Sequence, residues 1–141
     1  MNYPLFVYGT LKPGYSNYPI YLEGCTLHEE SATLLGGALY TEGQYPYLVM
    51  EPDLVRPDER VQGVLITVRP DVYNAVLAHI DVLEDYVPGG ADNWYERVVS
   101  PVQTASGPVA AWLYVGGSEI LMFIRSGIFT RIESEVWHGS R

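Results

Sequence analysis

Residues 77–86 read "LAHIDVLEDY" and carry three carboxylates, Asp81, Glu84 and Asp85, in one stretch of helical periodicity. Val72, Val76, Ile80 and Leu83 recur at spacings of four, four and three and draw a single apolar stripe. At about 100° per residue with Val72 at zero, the stripe spans roughly 80°, Leu77 falls near ~140° and Glu84 near ~120°. Asp81 and Asp85, near ~180° and ~220°, point to water as solubilising charges. If the helix runs through Glu84, its carboxyl enters the apolar arc. Desolvation and the negative end of the helix then push its pKa from about 4.3 towards neutrality, the tuning a general acid/base needs. If the helix ends at Leu83, Glu84 turns out to solvent. Spacing alone leaves both readings open.

Other chemistries lack their carriers. His28-Glu29 has Ala32 where a second zinc-binding His would stand, and His28, His79 and His138 show no paired ligand spacing, so no metal is expected. Gly9 and Gly14 have the spacing of a phosphate-binding loop, but Tyr15-Ser16 replaces the Lys-Ser/Thr that such a loop requires. There is no Gly-x-Ser-x-Gly elbow, and Cys25, the single cysteine, has neither a basic neighbour nor a His partner. No covalent nucleophile and no cofactor are expected. The stretch "FVYGTLKPG" (6–14) offers something else: a strand stopped at Gly-Thr-Leu leaves consecutive backbone N–H groups that can converge on a carboxylate or carbonyl oxygen. A plain structural turn fits the same residues.

The whole chain limits the partners. Seventeen acidic against eight basic residues, net charge −9, repel phosphate backbones, so neither nucleic acid nor an anionic membrane surface is expected as a partner. Met1-Asn2-Tyr3-Pro4 lacks the basic and apolar segments of a secretory signal, and no apolar run is long enough to span a bilayer. A soluble, cytoplasmic protein is the expectation. Oligomeric state is not legible.

The elements that must position these residues are strand-rich. Twelve tyrosines against three phenylalanines suit half-buried pleated surfaces, rings inside and hydroxyls at the rim. Strands are predicted at 4–8, 31–41 with a bend at Gly36-Gly37, 45–50, 61–68, 94–103 and 108–115, which favours a mainly antiparallel sheet curled into a barrel. A helix is predicted over 71–83 with Asp71 as its cap, and a shorter one over 16–23. Residues 51–60 read as an exposed connection, "SEILMFIRSGIFTRIE" is ambiguous between helix and strand, and "WHGSR" reads as a frayed end. At 141 residues the chain fits one domain, 1–141.

"VYGTLKPG", then "LEDY" after a helix, then "WYERVVSPV" and "AAWLYV", together resemble the γ-glutamylcyclotransferase-like family, including its γ-glutamylamine cyclotransferase branch, over roughly residues 4–115. The resemblance implies an α+β fold, a small mainly antiparallel β-barrel with a few helices and a cavity at its side. It implies that Tyr8, Gly9, Thr10 and Leu11 hold the glutamyl part of a small-molecule γ-glutamyl substrate, largely through main-chain groups, and that Glu84 is the acid/base. The implied reaction is attack of the substrate's α-amine on its own γ-carbonyl, giving 5-oxoproline and a free amine. Tyr95, Arg97 and Tyr114 are further candidates: Arg97 for pairing with an acidic substrate group or, equally, as a surface charge, the tyrosines for pointing hydroxyls into the cavity or, more commonly, as packed rings with satisfied hydroxyls. Lys12 is expected at the solvated rim. Two departures stand out: many relatives read Glu-Gly-Tyr at Glu84-Asp85-Tyr86, and Tyr18 after Asn17 replaces a His found in several. A binding module without turnover and a carboxylate-dependent amide hydrolase remain as alternatives.

Overall fold

The computed structural model describes residues 2–139. Five strands close a barrel in the order β1 (Leu5–Val7), β5 (Arg60–Val68), β2 (Thr26–Leu35), β6 (Tyr95–Thr104), β7 (Gly107–Gly116). Every pairing is antiparallel except the closing one, where Leu5 of β1 lies parallel to Trp112 of β7. The barrel and its helices match the expected architecture. The period of two decides what lies inside: Phe6, Leu34, Leu65, Val102 and Leu113, one or more from each strand, form one buried cluster. Gly63 is required beneath it, since a Cβ there would stand 2.8 Å from the Phe6 ring and 2.5 Å from the Val7 carbonyl.

The outer faces of β1 and β5 are also buried. Leu5, Val7, Ile66 and Val68 pack beneath α2 (Tyr73–Leu83) and α3 (Ser118–Arg125), which contribute Val76, Ile80, Ile120 and Ile124. The predicted stripe of α2 holds, with Val76 and Ile80 buried and Val72 and Leu83 partly so. Asp71 does not cap it: the cap position is Val72, and the Asp71 carboxylate is drawn instead to Arg69 at 2.5 Å. The shorter predicted helix is one turn, α1 (Tyr18–Tyr21).

The predicted strand 31–41 is two strands in two sheets. At Gly36, with φ +76, the chain leaves the barrel and enters β3 (Ala38–Thr41), which pairs with β4 (Pro46–Val49) and β8 (Thr130–Arg131) in a separate three-stranded sheet. The predicted strand at 45–50 therefore lies outside the barrel. The ambiguous segment resolves into α3 and β8. Residues 51–60 are mostly exposed, but Pro52–Leu54 form a 3-10 turn whose Leu54 is buried. The predicted frayed end is anchored at Trp137, which is buried, packs on Tyr15, and accepts a 2.7 Å hydrogen bond from Lys12 Nζ at its carbonyl. Ser140 and Arg141 lie outside the described residues. No described helix is long and apolar enough to cross a membrane.

Candidate active site

Where β1 stops, the chain folds back through Tyr8–Leu11. Lys12 N–H donates to the Gly9 carbonyl at 3.1 Å, Asn17 N–H to the Thr10 carbonyl at 2.9 Å, and Asn17 Nδ2 to Thr10 Oγ1 at 2.8 Å. These bonds use the carbonyls of Gly9 and Thr10. Among the described residues, the N–H groups of Gly9, Thr10 and Leu11 donate to no protein acceptor, leaving three main-chain donors in one short turn. The residues of this loop line a cavity of about 410 Å³. A Cβ on Gly9 would stand 3.0 Å from Cγ of Pro46, which forms another part of the same wall, so the glycine also sets the spacing between loop and hairpin.

Glu84 lines that cavity too. The helix ends at Leu83, yet Glu84 does not turn to solvent: it is the cap residue, its N–H still donating to Ile80 at 2.9 Å. Asp85 then adopts φ 53, its N–H donating to Val82, while Tyr86 N–H returns to the Asp81 carbonyl at 2.9 Å. This is a Schellman closure, and it fixes the direction of the preceding side chain. Loss of water around the carboxyl pushes its pKa up to about 7.

The sequence candidates divide into those on the cavity wall and those behind it. Tyr8, Gly9, Thr10, Leu11, Glu84, Tyr95 and Tyr114 share the cavity. The tyrosines present rings to it, because their hydroxyl protons are committed elsewhere: Tyr8 to the Tyr114 carbonyl at 2.5 Å, Tyr95 to the Pro46 carbonyl at 3.1 Å, and Tyr114 to Asp81 Oδ1 at 2.6 Å. Burial accordingly raises all three phenols above their ordinary range, and for each the charge of Glu84 adds to that rise.

Arg97 is not on the wall. It lies behind Tyr114, 3.3 Å from Asp81 Oδ2, so its counter-charge is internal and it is not free to pair with a substrate acid. Asp81, predicted to face water, is buried. A wheel drawn around one apolar stripe misses it because Arg97 and Tyr114 supply polar partners on the adjoining face. Lys12, predicted at a solvated rim, is buried against the Tyr15 ring and the Trp137 carbonyl.

Another part of the wall comes from the β3–β4 hairpin and the residue preceding β6. Glu42, Gln44, Tyr45, Pro46, Tyr47 and Trp94 line it, and none was singled out in the sequence. The only local signal was Tyr45 and Tyr47 at a spacing that places both on one face of a strand. Glu42 organises the turn: its Oε1 accepts from the N–H groups of Gln44 and Tyr45, both at 2.6 Å, and its Oε2 from the Tyr47 hydroxyl. Neither lysine nor arginine lines the cavity among the described residues. No group of three or more His, Cys, Asp or Glu side chains suited to a metal ion occurs among them either.

A loop of open main-chain donors sharing a cavity with a carboxyl of near-neutral pKa can hold an anionic or carbonyl oxygen while a proton is moved in the same cavity. Proteins of known sequence and structure share this arrangement's scaffold. The γ-L-glutamyl-butirosin B γ-glutamyl cyclotransferase of Niallia circulans is 33% identical over 112 residues, which cover 79% of this chain and 65% of that protein; the chain thus spans just under two-thirds of that relative. A crystal structure of an AIG2-like protein from Mus musculus superposes with a TM-score of 0.67 at 21% identity, covering 96% of this chain and 88% of that one. YkqA from Bacillus subtilis superposes with a TM-score of 0.66 at 23% identity over 97% of this chain, but only 40% of its own length. These two likenesses show the fold. The profile described as "Gamma-glutamyl cyclotransferase, AIG2-like" matches residues 5–138. The chain therefore belongs to the γ-glutamyl cyclotransferase, AIG2-like family.

Proposed function

We propose that this chain is a γ-glutamyl cyclotransferase, releasing an amine from a small γ-glutamyl amide as 5-oxoproline forms, with Glu84 as the acid/base. Family membership and the activity of the Niallia circulans relative support the reaction class. The observation that carries the site is that Glu84 and the Tyr8–Leu11 loop line one cavity, with the carboxyl pushed up to about 7.

The reaction needs no protein nucleophile, since the α-amine and the γ-carbonyl belong to one molecule and the cavity gains rate by holding them folded together. As the amine nitrogen bonds to the γ-carbon, Glu84 takes its proton. When the tetrahedral centre collapses, the bond to the leaving nitrogen breaks and Glu84 returns that proton to it. The N–H groups of Gly9, Thr10 and Leu11 hold the substrate carboxylate or the oxyanion on the γ-carbon, a contribution of about 3 kcal/mol per donor in comparable sites.

Glu84→Gln tests the assignment, with 5-oxoproline and free glutamate read by mass spectrometry across a panel of γ-glutamyl amides. The expected result is 5-oxoproline from the parent protein and at least about a hundredfold loss in the variant. Full turnover by the variant refutes Glu84 as the acid/base. Free glutamate from the parent makes the chain an amide hydrolase, and binding with neither product makes it a module without turnover.

A further inference from the structure

The last turn of α2 holds a second carboxylate, Asp81, that the reaction above does not use. Its Oδ1 accepts from the Tyr114 hydroxyl of β7 at 2.6 Å, its Oδ2 lies 3.3 Å from Arg97 of β6, and its main-chain carbonyl accepts from Tyr86 N–H. Both side chains are buried, 12% exposed for Arg97 and 13% for Asp81. The guanidinium sits 4.4 Å from the Trp112 ring centre and 5.2 Å from that of Tyr86. Its Nε and Nη1 have no hydrogen-bond acceptor among the described residues. A guanidinium so placed is held by charge and by ring faces, not by a filled set of hydrogen bonds.

Asp81 precedes Glu84 by three residues, so the two lie on neighbouring parts of the helix surface. Tyr114 joins them: its hydroxyl meets Asp81 and its ring lines the cavity beside Glu84. We propose that Asp81 and Arg97 are positioning residues for Glu84, pinning the end of α2 to β6 and β7 and cancelling each other's charge behind the cavity wall. Its catalytic consequence rests on Glu84 being the acid/base; the electrostatic part does not. The titratable and charged groups that face or neighbour Glu84 are Asp85 and Tyr86 directly after it, Tyr8 after β1, Tyr95 of β6, Tyr114 of β7, Glu42, Tyr45 and Tyr47 of the β3–β4 hairpin, and the Asp81–Arg97 pair. Only in that pair do two opposite charges stand together.

Removing one member leaves the other unbalanced. Asp81→Asn keeps an acceptor for Tyr114 but strands a positive charge, and is expected to lower the titration midpoint of Glu84 by about one pH unit. Arg97→Met strands a negative charge and is expected to raise it by a similar amount. Arg97→Lys, which keeps the charge, is expected to move it by less than about 0.3 unit, and the double variant Asp81→Asn/Arg97→Met to return it close to the parent. The midpoint is read from the ¹³C shift of the Glu84 carboxyl, assigned by its loss in Glu84→Gln. The midpoint of the kcat/KM profile for 5-oxoproline release is expected to follow it.

Opposite displacements in the two single variants support the proposal. No displacement, or displacement in the same direction, overturns it; a purely structural pair would lower thermal stability in both without opposite shifts. If Asp81→Asn does not fold, Arg97→Met against Arg97→Lys still decides, because equal shifts in those two refute the charge argument. The carboxyl titration needs no turnover, so an inactive parent protein would refute the proposed reaction while leaving this test intact.

Discussion

At Glu84 the chain places a carboxyl where water is withheld from its charged form, raising its pKa from an ordinary 4.5 to about 7. Between those values the folded chain holds a proton that the unfolded chain has released. Stability therefore falls as pH rises through that window, and the full penalty, about 3 kcal/mol, stands above it. Glu84→Gln removes the titration. The variant is expected to melt higher than the parent at about pH 8 and close to it at about pH 4, by calorimetry. A melting difference that does not widen with pH would sink the burial argument. The angular position of Glu84 was legible because Val76 and Ile80 define the buried face without help. Asp81 was not, because its partners Arg97 and Tyr114 stand 16 and 33 residues away.

The elements meet their functional residues through their ends. α2 closes with Asp85 in the left-handed region, where relatives that read Glu-Gly-Tyr have a glycine. An aspartate tolerates that conformation better than most side chains but still pays for it. Asp85→Gly is accordingly expected to stabilise the fold by about 0.5–1 kcal/mol in urea unfolding, with Glu84 left in place. Destabilisation would mean that the Asp85 side chain holds the turn. The tyrosine-rich composition also acts here: hydroxyls from Tyr8, Tyr40, Tyr73 and Tyr95 each donate to a distant main-chain carbonyl, tying strand to strand and helix to terminus. A phenylalanine would fill the same space but lose these cross-links. The strands themselves were legible through period two. Their division between two sheets was not, since a left-handed Gly36 and a simple bulge leave the same mark on a sequence.

Over the whole molecule, a net charge of −9 surrounds a cavity whose wall holds two carboxylates, Glu42 and Glu84, and no lysine or arginine among the described residues. Such a field attracts cationic and repels anionic leaving groups. Given the proposed reaction, kcat/KM is expected to be higher for a γ-glutamyl amide of a diamine than for one of an amino acid of matched length. Raising salt from about 0.05 to 0.5 M is expected to narrow the gap, as screening shortens the reach of the field. A preference for the anionic leaving group that survives added salt would contradict this. The same charge is the reason nucleic acid was set aside from composition alone.

Composition and periodicity by themselves determined the strand-rich class and the stripe of α2, and narrowed Glu84 to two placements, because each depends on neighbours within a turn or two of the chain. The order of motifs, from "VYGTLKPG" to "AAWLYV", marked the family. Only the tertiary structure decided which residues share a cavity. Glu42, Tyr45 and Trp94 reach it from the β3–β4 hairpin and from the residue preceding β6, while Arg97 turns away from it to meet Asp81. The physical reason is distance along the chain. A buried charge or a cavity wall is settled by partners that folding brings in from far away, and no local pattern names them.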